Sequence, residues 1–338
     1  SGSNNFYVGN YSGYCACSGS GNLAMGQNSL KGSGTHANNI YKKNIGFGEN
    51  AGCGISSGCY NIIFGHTAAE NMTTGCDNII MGRDAVGSGV LTGGCNVAMG
   101  FYAGEELTAG CYNVLFGAYA GSDITTGNKN IFIGNSAAKK TTTGEANIVI
   151  GDMAAYKCDI TGCRNIIMGY EASRCMTSGE HNTLLGSLAG YCGTTGVHNT
   201  FIGAYAGQNA TTGCWNTLIG TRAGKGNSSS GGTGNYNVAI GECSMKEWTS
   251  AYGNVIIGRE AGCSITTGYN NTFLGRCAGN TNTTGNYNVA FGYNVELASA
   301  TGDKQFMIGC GSSWWVCGDS NFVLYVYEQS RRRCGNYN

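Results

Sequence analysis

Proline is absent from all 338 residues, where average usage would place about seventeen. Charge is scarce as well: 11% of residues are Asp, Glu, Lys or Arg, and the 19 basic residues balance the 19 acidic ones. A nucleic-acid binder ordinarily carries a basic excess, so zero formal net charge argues against that class. Apolar runs are only a few residues long, far short of the roughly 20 that span a membrane. Disorder needs few apolar residues and high net charge, whereas this chain is 41% hydrophobic. Collagen needs Gly at every third position with abundant Pro, and neither occurs. The chain opens without Met and without a basic-then-apolar leader, which reads as a processed product or a segment of a longer fibre. Abundant instead are 59 Gly, 20 Tyr and 18 Cys.

These residues fall into one repeated unit, Gly-x-x-Asn-Φ-Φ-Φ-Gly-x-x-Ala-(Gly/Ala)-x-x-x-Thr-Thr, where Φ is apolar. Its Asn column runs Asn5, Asn22, Asn44, Asn61, Asn78, Asn96, Asn113, Asn130, Asn147, Asn165, Asn182, Asn199, Asn216, Asn237, Asn254, Asn271 and Asn288, with Gln305 as a last variant. Thirteen of the seventeen spacings are 17 residues and two are 18; the 22 from Asn22 to Asn44 and the 21 from Asn216 to Asn237 mark loop insertions. Four residues after every Asn or Gln stands a Gly: Gly9, Gly26, Gly48, Gly65, Gly82, Gly100, Gly117, Gly134, Gly151, Gly169, Gly186, Gly203, Gly220, Gly241, Gly258, Gly275, Gly292 and Gly309. Gly held at one phase implies a positive φ or a backbone approach too close for a Cβ. Three residues later a small residue recurs, as Ala68, Ala85, Ala103, Ala120, Ala137, Ala154 and Ala172, so this phase reads as a tight corner.

The three residues between Asn and Gly are apolar and start with a β-branched side chain in most copies, as in Ile62-Ile63-Phe64 and Val114-Leu115-Phe116. That favours strand, and Gly interrupts each unit too often for a helix. The pattern predicts an all-β fold, a parallel β-solenoid (β-roll or β-helix) of about eighteen 17-residue coils. Like-phase Asn amides then form a ladder, each bonding the next about 4.8 Å away, and the whole would rise roughly 80 Å. The missing Pro follows, because an internal coil has no edge where a lost ladder hydrogen bond is harmless. Outer and middle residues of each triplet point to opposite sheet faces, and both sets are apolar. One set can fill the coil, and the other calls for a partner, for which another copy of the chain is the natural candidate.

Strings such as Asn96-Val-Ala-Met-Gly and Asn237-Val-Ala-Ile-Gly, with ITTGNKNIFIG at 124–134 and ATTGCWNTLIG at 210–220, resemble the Gly/Asn/Thr-rich repeats of bacteriophage tail fibres, cyanophage ones among them, where Cys is also frequent. More distantly they resemble the head repeats of trimeric autotransporter adhesins, whose repeat is shorter. The resemblance covers about residues 1–318 and lacks an anchor, a heptad stalk and a self-cleaving C-terminal chaperone. It implies a parallel homotrimeric fibre in a virion or at a cell surface, adhering to a host-surface receptor or glycan.

Chemistry-bearing residues are weighed against plainer roles. Cys59, Cys76, Cys111, Cys163 and Cys214 share the phase two before Asn. Adjacent coils would bring Cys59 and Cys76 within disulfide range, but Cys also serves as a small apolar filler, and mostly free thiols are expected. His181 and His198 share a phase and could meet a metal around a threefold axis, yet they read as surface residues, and no metal or cofactor is assigned. Paired carboxylates or a nucleophile with its base are not evident, so no catalytic residues are assigned and no enzyme is expected. Tyr102, Tyr119 and Tyr205 share the phase two after Gly, where a row of rings could either contact a glycan receptor or pack in a trimer seam.

The repeat decays after Gly309, dividing the chain into a shaft at 1–309 and a degenerate cap or junction at 310–338. There 321–327 reads as a longer strand and Arg331-Arg332-Arg333 as a solvated turn. The expected function is a non-enzymatic tail-fibre-like shaft with adhesion. The alternatives are an extracellular filament polymerised head to tail and a polysaccharide-degrading fibre. Nucleic acid and membrane are not expected partners.

Overall fold

The computed structural model describes residues 2–16, 18–34, 39–311, 313–318 and 324–326. The chain is an all-β parallel solenoid with about eighteen turns, successive strands being offset by 17 residues in most coils. It divides into two compact units, Ser1–Val197 and His198–Asn338.

The first unit holds eleven three-residue strands among the described residues, from β1 (Phe6–Val8) to β11 (Thr183–Leu185). Neighbours are parallel and in register, as where Ile62, Ile63 and Phe64 lie opposite Ile79, Ile80 and Met81. Strands this short hold only because each coil is laddered to the next, so stability comes from neighbour interfaces. The coil that begins at Asn113 illustrates the corner chemistry. After the strand Val114–Phe116, Gly117 takes φ 131°. A Cβ there would sit 2.5 Å from the Gly134 carbonyl oxygen, so this phase needs glycine both for its φ and for the backbone packed against it. Two overlapping turns follow, closed by Ala120 N–H to Gly117 O at 3.3 Å and Ser122 N–H to Tyr119 O at 3.2 Å. Their third residues, Tyr119 and Gly121, both have φ 55°, the type II signature. Inside the coil Leu115, Ala120 and Ile124 are wholly buried, and stacking their equivalents builds the core.

The second unit repeats this plan from β12 (Thr200–Ile202) to β17 (Val289–Phe291). The five-residue β18 (Phe306–Cys310) pairs in parallel with β17, then the chain reverses through Gly311. β19 (Ser313–Gly318) and β20 (Leu324–Val326) add antiparallel. Of the sequence-predicted strand at 321–327, residues 324–326 form β20 and the rest lies outside the described residues, as do Arg331, Arg332 and Arg333.

Each of the two longest spacings is accompanied by a large buried side chain. In the first unit Tyr41, within the 22-residue spacing, is fully buried and donates its hydroxyl to Leu30 O at 2.7 Å. In the second, buried Trp248 lies beneath the insertion at 226–234 and donates Nε1–H to Gly224 O at 2.7 Å. The inserted loops widen the coil, and an aromatic whose polar atom finds a carbonyl fills the added volume.

Candidate functional site

The Asn column is a buried, fully bonded ladder within each unit. Asn61 Oδ1 accepts from the backbone N–H and from Nδ2 of Asn78, both at 3.0 Å, while Asn61 Nδ2 donates to Asn44 Oδ1 at 2.9 Å and to Gly75 O at 2.8 Å. The amide therefore bonds both its neighbour's amide and the corner of the next coil, so neither its oxygen nor its nitrogen is left bare. The pattern runs from Asn5 to Asn182 in the first unit, and in the second from Asn199 to Gln305, whose backbone N–H reaches Asn288 Oδ1 at 2.7 Å. The Gly column holds φ between 128° and 146° from Gly9 to Gly186, and between 127° and 138° from Gly203 to Gly292.

The strand faces are sharply unequal. Middle residues, such as Ile63, Ile80, Phe132 and Ile256, are fully buried in the coil. The outer two of each triplet stay half-buried or exposed, with Phe116 at 51% and Phe291 at 48% exposure. Neighbouring coils line these up as two apolar rows, for example Ile79, Val97, Val114, Ile131 and Ile148 beside Met81, Met99, Phe116, Ile133 and Ile150. In the second unit Thr200, Thr217 and Thr272 enter the first row, and the other row stays apolar. Near its C-terminal end, Tyr287, Val289, Lys304, Gln305 and Phe306 line a pocket of about 410 Å³.

Aromatic rings also stack from coil to coil. Tyr102 and Tyr119 are half-buried, with ring centroids 5.3 Å apart and planes 23° from parallel. Phe101 packs on both, Arg83 lies over Phe101 at 4.3 Å and Lys139 over Tyr119 at 4.6 Å. Their faces are thus largely occupied by each other, leaving edges and hydroxyls to solvent. The charge of Asp84, then desolvation and Glu105, push the Tyr102 hydroxyl above its usual pKa, with Arg83 opposing. Tyr205 lies in the second unit, with the Arg222 guanidinium over its ring at 5.8 Å. A more exposed row was not singled out from the sequence. It occupies the position just before Asn, where Trp215 (51% exposed) stacks on His198 at 4.0 Å and on Tyr236 (64% exposed) at 6.3 Å. Their shared phase could have revealed them, but the residue type changes at each step.

That position also carries a signal hidden from the sequence. Tyr112, Lys129, Ala146, Arg164, His181, Trp215 and Tyr236 all hold φ between 56° and 60°, a conformation that sequence reasoning reserves for Gly or Asn. Tyr112, Lys129, Ala146, Arg164, His181 and Tyr236 are each pinned by a backbone bond to the preceding coil, such as Lys129 N–H to Cys111 O at 2.9 Å.

Two before Asn, side chains reach back one coil to cap a backbone N–H. Cys111 N–H donates to Asn128 Oδ1 at 2.9 Å, Cys214 N–H to Asn235 Oδ1 at 2.7 Å, and Gly94 N–H to Cys111 Sγ at 3.4 Å. Cys59 N–H likewise donates to Cys76 Sγ at 3.1 Å, and the two sulfurs lie 2.6 Å apart. Burial first, then the contact with Cys76 and the charge of Asp77, push the Cys59 thiol up to about 11, with Lys42 opposing. His181 and His198 fall in different units; His181 Nδ1 lies 3.9 Å from Glu180 Oε2, and His198 packs on Trp215. Among the described residues no group of three or more His, Cys, Asp or Glu is placed to hold a metal ion, and no helix is long and apolar enough to cross a membrane.

No family model, curated protein or solved structure matches the chain.

Proposed function

We propose that this chain is a non-enzymatic structural fibre, a tail-fibre-like shaft that assembles with further copies of itself and adheres to a surface glycan or other receptor. The observation that carries the reading is the pair of apolar rows on the outer strand face. The largest apolar patch on an ordinary monomer covers about 300–600 Å². Rows of Ile, Val, Met and Phe repeated coil after coil form a continuous apolar strip, and a second copy of the same periodicity is the surface that matches it step for step. Three chains about a common axis, as the tail-fibre resemblance implies, would bury all the strips together. Trp215 and Tyr236, with the edges of Tyr102, Tyr119 and Tyr205, supply aromatic surface for sugar rings. A virion or a cell surface is the setting such a device fits.

A head-to-tail filament is the less favoured reading, because in the second unit β19 and β20 convert the parallel ladder into an antiparallel meander that occupies the β18 edge. Native mass spectrometry of the full chain, together with the double substitution Ile79→Glu and Met81→Glu, tests the assembly. The wild type is expected at three chain masses and the variant at one, with its β-sheet circular dichroism retained. A wild type that is monomeric at every concentration, or a variant that stays assembled, would overturn the proposal.

A further inference from the structure

We propose that Cys59 and Cys76 form a redox-responsive staple, closing to an inter-coil disulfide when the chain meets a low-molecular-weight disulfide oxidant. The inference rests on coil stacking and is independent of the shaft reading. The geometry follows from the capping pattern two residues before Asn, in which several side chains reach back toward the backbone of the coil before them. Elsewhere in the phase the reaching atom meets a residue of another type: Asn128 reaches Cys111, Asn235 reaches Cys214, and Cys111 reaches Gly94. At Cys76 the atom that reaches back is a sulfur and the residue it reaches is another Cys, so the column delivers Sγ to Sγ at 2.6 Å. Parallel, in-register neighbours also place the two Cα atoms about one strand spacing apart, inside the range of about 4.4–6.8 Å that a disulfide spans.

The one-residue lengthening of the coil between Asn78 and Asn96 confines the staple to this pair. It leaves Gly94 in the Cys phase and moves Cys95 into the positive-φ position, with φ 61°, so the sulfur column stops at Cys76. Cys111 shares the phase but faces a backbone N–H, which makes it an internal control.

The reaction balances as two thiols and RSSR giving the bridge and two RSH. One cysteine thiolate attacks RSSR, forming a mixed disulfide and expelling RS⁻. The neighbouring cysteine, as its thiolate, attacks the cysteine sulfur of that mixed disulfide and expels the second RS⁻. The two protons released by the cysteines end on the two expelled thiolates, and RSSR takes the two electrons. The product would tie coils that are otherwise joined only by hydrogen bonds and packing.

The test incubates the full chain, purified reduced, with excess glutathione disulfide and then alkylates the remaining thiols. Digestion at glutamate separates the two cysteines, since Glu70 lies between them. The expected result is a peptide pair joined through Cys59 and Cys76, lighter by two hydrogen atoms than its reduced parts, with fragment ions excluding Cys53 on one peptide and Cys95 on the other. Cys111 is expected to be alkylated or to carry glutathione singly. In Cys59→Ser the joined pair disappears, and Cys76 carries glutathione or alkyl label. The proposal is overturned if wild-type Cys59 and Cys76 both alkylate fully, if each carries glutathione separately, or if either joins another cysteine or another chain. Because the wild-type readout is sufficient alone, a variant that fails to fold does not rescue the idea.

Discussion

At the scale of single residues, the ladder asparagines and the positive-φ positions do opposite kinds of work. A residue such as Tyr119 or Lys129 is held in a conformation that costs an L-residue roughly 1–3 kcal/mol. It persists because bonds to the neighbouring coil over-determine it: Tyr119 N–H reaches Phe101 O at 2.8 Å. The asparagines supply the compensating order. Asn113 Oδ1 accepts from Asn130 N and Nδ2 at 3.0 and 3.1 Å, and its Nδ2 donates to Gly127 O at 2.9 Å. Asn113→Ala therefore strands several buried polar groups at once and is expected to cost about 3 kcal/mol, given about 1–3 kcal/mol per unsatisfied group. Urea unfolding followed by circular dichroism checks this, and a loss under about 1 kcal/mol would show that water replaces the amide. The Asn and Gly columns were legible because one residue type recurs in copy after copy. The non-glycine positive-φ columns were not, because Tyr119, Lys129, Ala146 and Glu171 have no residue type in common and owe their backbone to the coil beside them.

Within a coil, the interior has three packed positions, and the third is filled by Leu107, Ile124, Ile160 and Met176 in successive parts of the first unit. Thr141 interrupts this row. It is fully buried, and its Oγ1 has no hydrogen-bond partner. Threonine and valine share a shape, so Thr141→Val removes an unsatisfied hydroxyl without opening a cavity. It is expected to raise stability by about 1–2 kcal/mol, read as a shift of the urea midpoint at constant slope. A destabilised variant would mean that the hydroxyl finds an internal partner. The sequence placed the coils and the insertions correctly but gave no reason for Tyr41 or Trp248. Only the widened coils show that each insertion makes room for a large ring.

For the whole molecule, the balance of forces is apolar burial and backbone ladders, with charge a minor contributor. Ion pairs such as Lys129–Glu145 at 3.1 Å and Lys140–Asp123 at 2.9 Å bridge successive coils but remain largely solvated. The hydrogen bond and charge of Asp123 raise the Lys140 pKa, so the lysine's share in that pair is present at neutral pH and is lost as alkali deprotonates it. Exposed pairs of this kind are each worth about 0–1 kcal/mol and are screened by salt. The melting temperature is accordingly expected to move by less than about 3 °C between low and molar NaCl. A steep fall with salt would show that the inter-coil charges, and not apolar burial, hold the coils together.

Period, strand class, corner glycines and the stacked amides belonged to the sequence, because each is a local preference repeated until chance alignment is excluded. Which face of each triplet fills the coil, which rings lie flat on one another, and how closely the Cys59 and Cys76 sulfurs approach were decided only by the folded chain. The reason is physical. Those outcomes depend on distances between side chains 17 residues apart, and a single inserted residue, as before Cys95, is enough to change which atoms face each other.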